Sequence, residues 1–328
     1  MSLFRTPVPS IEFPFEFSHS YPVLAIGSCF AEHIGQQLTK HKFIINSNPT
    51  GIIYNPISIA KSLETLISGE SYKKENLIQV NDLWCSLDFH SSFSNTNQQT
   101  CLDHINNALH ETRRFLSKTK RIIISLGTSF GFRYKQTNEI VANCHKIPGI
   151  EFDRILIPVE TIVSKLGSSF QKLKATKPEL EIILTVSPIR HIRDGLIENQ
   201  RSKASLLLAC MQLSKEYSFV HYFPSYEILM DDLRDYRFYE ADMIHPNRVA
   251  IDYIWDHFQK CLFSEETRLL NQKIAKIVVA SEHRPFNPDS EQHQNFIRQQ
   301  LKEIEQLNNN YSSLDFEKEK RKLIQHRN

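Results

Sequence analysis

Apolar residues along this chain follow two rhythms. Short unbroken runs punctuate longer stretches in which an apolar side chain returns every third or fourth position. The runs Tyr21–Ile26, Arg121–Leu126, Leu180–Val186 and Phe219–Phe223 are strand-length and end in Gly, Ser or Pro, so they predict buried strands. Between them, Phe30, Ile34 and Leu38 share one helical face, as do Ile57, Ala60, Leu63 and Ile67. Further helices are predicted from near Ile105 to Leu116, from about Pro158 to Ala175, from Ser202 to Tyr217, and along Ile251, Ile254, Phe258 and Leu262. Strands alternating with helices call for a parallel sheet covered on both faces.

The remaining segments fit around that frame. Residues 70–105 are polar and irregular, with Trp84, Phe89 and Phe93 scattered among Ser, Asn and Gln, and read as a loop-rich excursion or a β-hairpin. Asn48–Pro56 is a loop by its Pro and Gly content, and a second hairpin is expected around Phe132 to Val141. From Ser264 the pattern changes. Ser264 can cap a helix carrying Leu270, Ile274, Ile277 and Val278, Pro285 and Pro288 break it, and Ile297, Leu301, Ile304 and Leu307 mark another. The chain is therefore divided into an α/β domain, 1–263, and an amphipathic helical extension, 264–328, which packs on the domain or serves self-association.

Composition narrows the function classes. Hydrophobic residues make up 41% and charged residues 23%, ordinary values for a globular protein. A net charge of +2 gives no reason to invoke nucleic acid. No apolar run reaches the ~20 residues of a membrane span. The N-terminus has no secretory signal pattern, and a cytoplasmic location is expected. The six cysteines are scattered with no CxxC pair, and no GxGxxG or GxxxxGK[ST] occurs, so neither a metal nor a cofactor is expected.

Ligands of open α/β sheets bind at the carboxyl ends of the strands. Here those ends read Gly27-Ser28, Gly127-Thr128-Ser129, Ser187-Pro188 and Pro224-Ser225, which gathers small polar groups on one edge. Ser28 starts a helix, where free N–H groups and the dipole favour developing negative charge. It is either the helix cap or a nucleophile awaiting a base. Cys29, one residue into the helix, is expected to point inward as a small hydrophobe. In Asp242-Met-Ile-His245 a carboxylate three residues before an imidazole can hold one ring nitrogen and leave the other free as a base. Gly51 and Asn143 are candidate oxyanion donors, Gly51 being equally well explained by its turn. His145, Arg190 and His191 should face the same edge and together suit an anionic or hydroxylated ligand.

Gly27-Ser28-Cys29-Phe30-Ala31 resembles the name-giving motif of the GSCFA domain family. Asn48–Pro56, Leu126–Ser129, Asn143–Lys146, Val186–His191 and Asp242–Asn247 extend the resemblance over roughly Phe4 to Leu262. That family is similar to the SGNH, or GDSL-like, hydrolases. The resemblance implies a flavodoxin-like three-layer α/β/α fold, Ser28 as nucleophile, and Asp242 and His245 as its partners. It also implies an oxyanion hole from the Ser28 and Gly51 N–H groups and an Asn side chain. In place of the usual Gly-x-Asn-Asp this chain reads Gly127-Thr128-Ser129, leaving Asn143 or Thr128 as the third donor. The expected function is a serine esterase or acyl-transfer enzyme acting through acyl-Ser28 on a small ester or acylated carbohydrate. The rival is a non-catalytic module binding a carbohydrate or anion on the same fold, and a third class is a scaffold acting through the tail.

Overall fold

The computed structural model describes residues 5–283 and 285–325. Five strands, β1 (Val23–Gly27), β2 (Ile45–Ser47), β5 (Arg121–Leu126), β9 (Glu181–Val186) and β10 (Val220–Tyr222), form a wholly parallel sheet in the order β10-β9-β5-β1-β2. This is the doubly wound α/β order with its switch point between β1 and β5, as the flavodoxin-like expectation requires.

Each strand alternates between two cores. Leu24, Ile26, Ile122, Ile124, Leu126, Ile182, Leu184 and Val186 point to one face. There they meet α2 (Pro56–Ser68), α4 (Val159–Thr176) and α5 (Leu196–Glu216) through Leu63, Phe170 and Leu206. Val23, Ala25, Ile123 and Ile183 point to the other, against α1 (Cys29–Lys40) and α7 (Arg248–Leu262) through Phe30, Ile34, Trp255 and Phe258. The period of two in side-chain direction explains why both faces are apolar and the runs look continuous in sequence.

Three elements depart from the sequence reading. β2 lies at the sheet edge in a stretch, Ile45-Asn-Ser, too short and polar to stand out. The excursion after α2 holds a small hairpin, β3 (Ile78–Val80) with β4 (Leu83–Cys85), and α3 (Gln98–Lys118) begins well before Ile105, capped by Asn97. Its first turns are polar outside Cys101 and Leu102, which masked them. The expected hairpin is β6 (Phe130–Tyr134) and β7 (Glu139–Val141), joined by a third antiparallel strand, β8 (Phe152–Leu156).

After β10 the chain makes one turn of helix, α6 (Ser225–Glu227), and a wider-wound segment, Ile228–Leu233. Beyond α7, α8 (Glu265–Glu282), α9 (Glu291–Asn310) and α10 (Glu317–Gln325) fold on one another. Ser264 caps α8, accepting from Thr267 N–H at 3.2 Å. Leu270, Ile274, Ile297, Ile304, Phe316 and Leu323 form a core separate from the two sheet cores. Lys42, at the end of α1, pairs with Glu319 and lies over the Phe316 ring, tying this bundle to the α/β domain. No described helix is long and apolar enough to cross a membrane.

Candidate active site

The carboxyl edge of the sheet is built on two levels. The lower one is buried. Gly27 closes β1 with φ +134, and a Cβ there would stand 2.1 Å from the Ser125 carbonyl oxygen, so only glycine lets β1 approach β5 this closely. Its N–H donates to Asn48 Oδ1 at 2.9 Å. Ser28 follows as the N-cap of α1, accepting from Phe30 N–H at 3.2 Å, while its N–H donates to Ser125 O at 3.0 Å. The Ser28 and Ser125 hydroxyls are 2.8 Å apart, and Ser28 is only 1% exposed.

The neighbouring strand ends repeat this device. Thr128 and Ser202 hydroxyls lie 2.9 Å apart, and those of Thr185 and Ser225 2.6 Å apart. Lys203, buried on α5, donates to the carbonyls of Gly127 (2.6 Å) and Ser187 (2.7 Å), the last turns of β5 and β9. Burial pulls its ammonium down to about 7.

The upper level is open. His245 Nδ1 lies 2.6 Å from Asp242 Oδ2, with side-chain exposures of 42% and 44%. The other carboxylate oxygen accepts from the N–H groups of Ile244 (2.8 Å) and His245 (3.0 Å). These three hydrogen bonds, the imidazole's first, hold the Asp242 carboxyl down to about 2. The turn is closed by Glu240 N–H on the His245 carbonyl, and Met243 sits in it at φ +57. Arg190 serves this turn. Its N–H meets the Ile244 carbonyl, its guanidinium meets the Met243 carbonyl at 3.3 Å, and it stacks over Tyr239 at 4.2 Å. Its backbone N–H and one guanidinium nitrogen therefore hold the His245 loop.

Cys29 belongs to the upper level. The sequence reading turned it inward with Ser28 presented; in the structure Ser28 is the buried one, and Cys29 packs partly against the core while its thiol reaches Tyr54. Cys29 is half-buried, with Sγ 3.5 Å from the Tyr54 hydroxyl. The reason is Ser125: a hydroxyl on β5 captures the Ser28 side chain, and the next residue, rotated by one helical step, is left to reach Tyr54. No hydrogen bond among the described residues joins His245 to Ser28 or to Cys29.

Tyr54 leads on to His191, whose ring meets it edge-on at 5.3 Å. Both line a cavity of ≈ 370 Å³ with Asn143, Thr128, Phe130, Phe132, Arg154 and Arg193. His191 is held neutral, its pKa lowered to about 3 by burial first and by Lys203 and Arg154 after it. His33, one helical turn beyond Cys29, has its pKa lowered by burial first, with a smaller contribution from His245.

The remaining expected residues divide. Asn143 lines the cavity, with Oδ1 accepting from His145 N–H at 2.9 Å and Nδ2 unpartnered among the described residues. Thr128 lines it too, its hydroxyl committed to Ser202. The Gly51 N–H donates to Asn48 O at 2.8 Å, and with φ +86 and His90 2.0 Å from any Cβ, its turn already demands glycine. His145 bonds the Ser86 carbonyl at 2.8 Å, and its ring does not line the cavity. Sequence reading passed over Ser125, Tyr54, Arg193 and Lys203. Only Ser125 left a signal, as the one hydroxyl in the otherwise aliphatic Ile122-Ile-Ile-Ser-Leu126.

Fold and site together define a doubly wound α/β protein with an imidazole–carboxylate pair in a turn beyond the carboxyl end of β9. The sequence model of the GSCFA family matches residues 22–258, and that of the GSCFA domain protein C-terminal domain matches 274–326. The chain belongs to the GSCFA family. No curated protein matches it in sequence. Among solved structures it is similar to the family 3 carbohydrate esterase of Clostridium thermocellum, at 9% identity over 78% of this chain and 98% of that one, with a TM-score of 0.35. It is also similar to the acetyl xylan esterase Est2A of the rumen bacterium Butyrivibrio proteoclasticus, at 11% identity over 63% and 56%, with a TM-score of 0.32.

Proposed function

We propose that the protein cleaves esters, or passes their acyl groups to an acceptor alcohol, through a covalent intermediate formed at the Gly27-Ser28-Cys29 turn. The substrate would be a small ester or an acylated carbohydrate. The observation that carries this reading is the 2.6 Å Asp242–His245 pair, in a turn bonded to Arg190 beyond the carboxyl end of β9. Asp242 holds Nδ1 and leaves Nε2 as the base. His245 would take the proton of the nucleophile as it bonds to the carbonyl carbon, and return it to the departing alcohol. Water or an acceptor would then release the acyl group by the same route. The Asn143 amide and the Cys29 N–H are donors for the oxyanion, the Phe30 and Ala31 N–H groups being held by Ser28. Were Ser28 the nucleophile, as the resemblance implies, its hydroxyl would first have to leave Ser125.

Hydrolysis of p-nitrophenyl acetate and of a peracetylated monosaccharide by the purified chain tests this. His245→Ala should lower kcat by about 10³-fold, the scale of a lost general base. Equal turnover in wild type and variant, or none in either, would overturn the proposal. A carbohydrate-binding role without turnover is favoured by one observation, the burial of Ser28. It predicts glycan binding that survives His245→Ala.

A further inference from the structure

We propose that Cys29, and not Ser28, is the side chain that takes the acyl group; this rests on the acyl-transfer reading above. The two residues are adjacent, yet they face different media. The Ser28 hydroxyl is inside the sheet edge, with Ser125 Oγ at 2.8 Å and Phe30 N–H at 3.2 Å, so attack would cost it a cap and leave Ser125 unpaired in the interior. Cys29 Sγ carries no such duty. It is half-buried at the first position of α1, and its one side-chain hydrogen bond among the described residues is to the Tyr54 hydroxyl at 3.5 Å.

The surroundings suit a sulfur nucleophile. Burial first, and the Cys29 thiol after it, push the Tyr54 phenol up, so it stays protonated and is able to donate to a thiolate. A sulfur anion at the first position of a helix also meets the positive end of its dipole. Two buried polar atoms with no partner flank the turn, Asn48 Nδ2 beyond Gly27 and His191 Nε2 beside Gly127. Of these, His191 lines the same cavity as Tyr54, where its ring nitrogen is a polar partner for a ligand. Tyr54 and His191 lead from the sulfur into the ≈ 370 Å³ cavity, and Gly51 and His90 border a second of ≈ 580 Å³ on the far side of the loop. The ≈ 370 Å³ cavity, reached from the thiol through Tyr54, offers room for an acyl group or the alcohol it leaves.

In the step, His245 removes the thiol proton, sulfur bonds to the carbonyl carbon, and the carbon–oxygen bond to the alcohol breaks. The alkoxide takes the proton from His245. Water, deprotonated by the same imidazole, then attacks the thioester, releasing the carboxylic acid and returning the proton to sulfur.

The test is acid-quenched intact-mass and peptide mapping of the wild-type chain during turnover of p-nitrophenyl acetate. The expected result is one acetyl group on the peptide bearing Cys29, removed by neutral hydroxylamine as a thioester, and absent in His245→Ala. Ser28→Ala should still form it, and the near-isosteric Cys29→Ser, which keeps the fold, should lose at least about 10²-fold in kcat. An adduct on Ser28, or turnover undiminished in Cys29→Ser, overturns the assignment to Cys29 while the acyl-transfer reading stands. Acetylation of Cys29 that persists in His245→Ala is chemical background and overturns the assignment as well. No adduct and no turnover overturn both proposals.

Discussion

The two levels of the sheet's carboxyl edge are made from similar side chains and behave differently. Below, Ser28, Ser125, Thr128, Thr185, Ser202, Ser225 and Lys203 are buried, and each has a partner from a different element. Above, Cys29, Asp242 and His245 are half-exposed or exposed, and His245 Nε2 has no partner among the described residues. A buried hydroxyl whose partners are all protein groups is tied to architecture, because moving it strands another polar atom in the interior. A group on the open level loses little by turning to a substrate. The contrast separates what holds the strand ends together from what is free to react.

Breaking the upper level should cost rate and not stability. Asp242→Asn leaves the imidazole without its orienting carboxylate, and kcat should fall by about 10²–10⁴-fold. The urea midpoint should stay within error, since the carboxylate is at the surface. A stability loss matching the loss of rate would erase the distinction between the levels.

Breaking the lower level should do the opposite. Lys203→Met keeps the length of the side chain but strands the Gly127 and Ser187 carbonyls, and should cost about 3 kcal/mol in equilibrium urea unfolding, at 1–3 kcal/mol per orphaned group. An unchanged midpoint would show that the strand ends do not need the amine.

The effect confined to acid pH lies where the levels meet, at His191. Its folded pKa, near 3, is below the ordinary value of 6.5, so the unfolded chain binds a proton that the folded chain refuses. Stability should therefore fall as pH drops from about 6.5 toward 3, with no His191 contribution above that range. His191→Gln should flatten part of this slope in thermal melts taken across the window. An identical slope in the variant would place the acid sensitivity elsewhere.

Much of the frame was legible in the chain because burial on both faces leaves an unmistakable signal. Arg121–Leu126 and Glu181–Val186 are nearly all aliphatic, and only the middle of a covered parallel sheet asks for that. Edge elements were not legible. β2 has a single apolar residue among three, and β8 alternates too loosely to stand out from a loop. In the site, Asp242 and His245 could be paired from sequence because the contact is local, three residues apart. Arg190 and His145 could not be assigned, since what each bonds to lies 53 and 59 residues away.

By itself, then, the sequence determined the alternation of strands and helices, the polar edge to which the strands run, and the adjacency of a hydroxyl and a thiol at the start of α1. Local spacing and hydrophobic period are enough for those. Which of the two faces the cleft was decided only by tertiary structure. The register that sets Gly27 opposite Ser125 brings in a hydroxyl from 97 residues away, and that hydroxyl claims Ser28 for the interior.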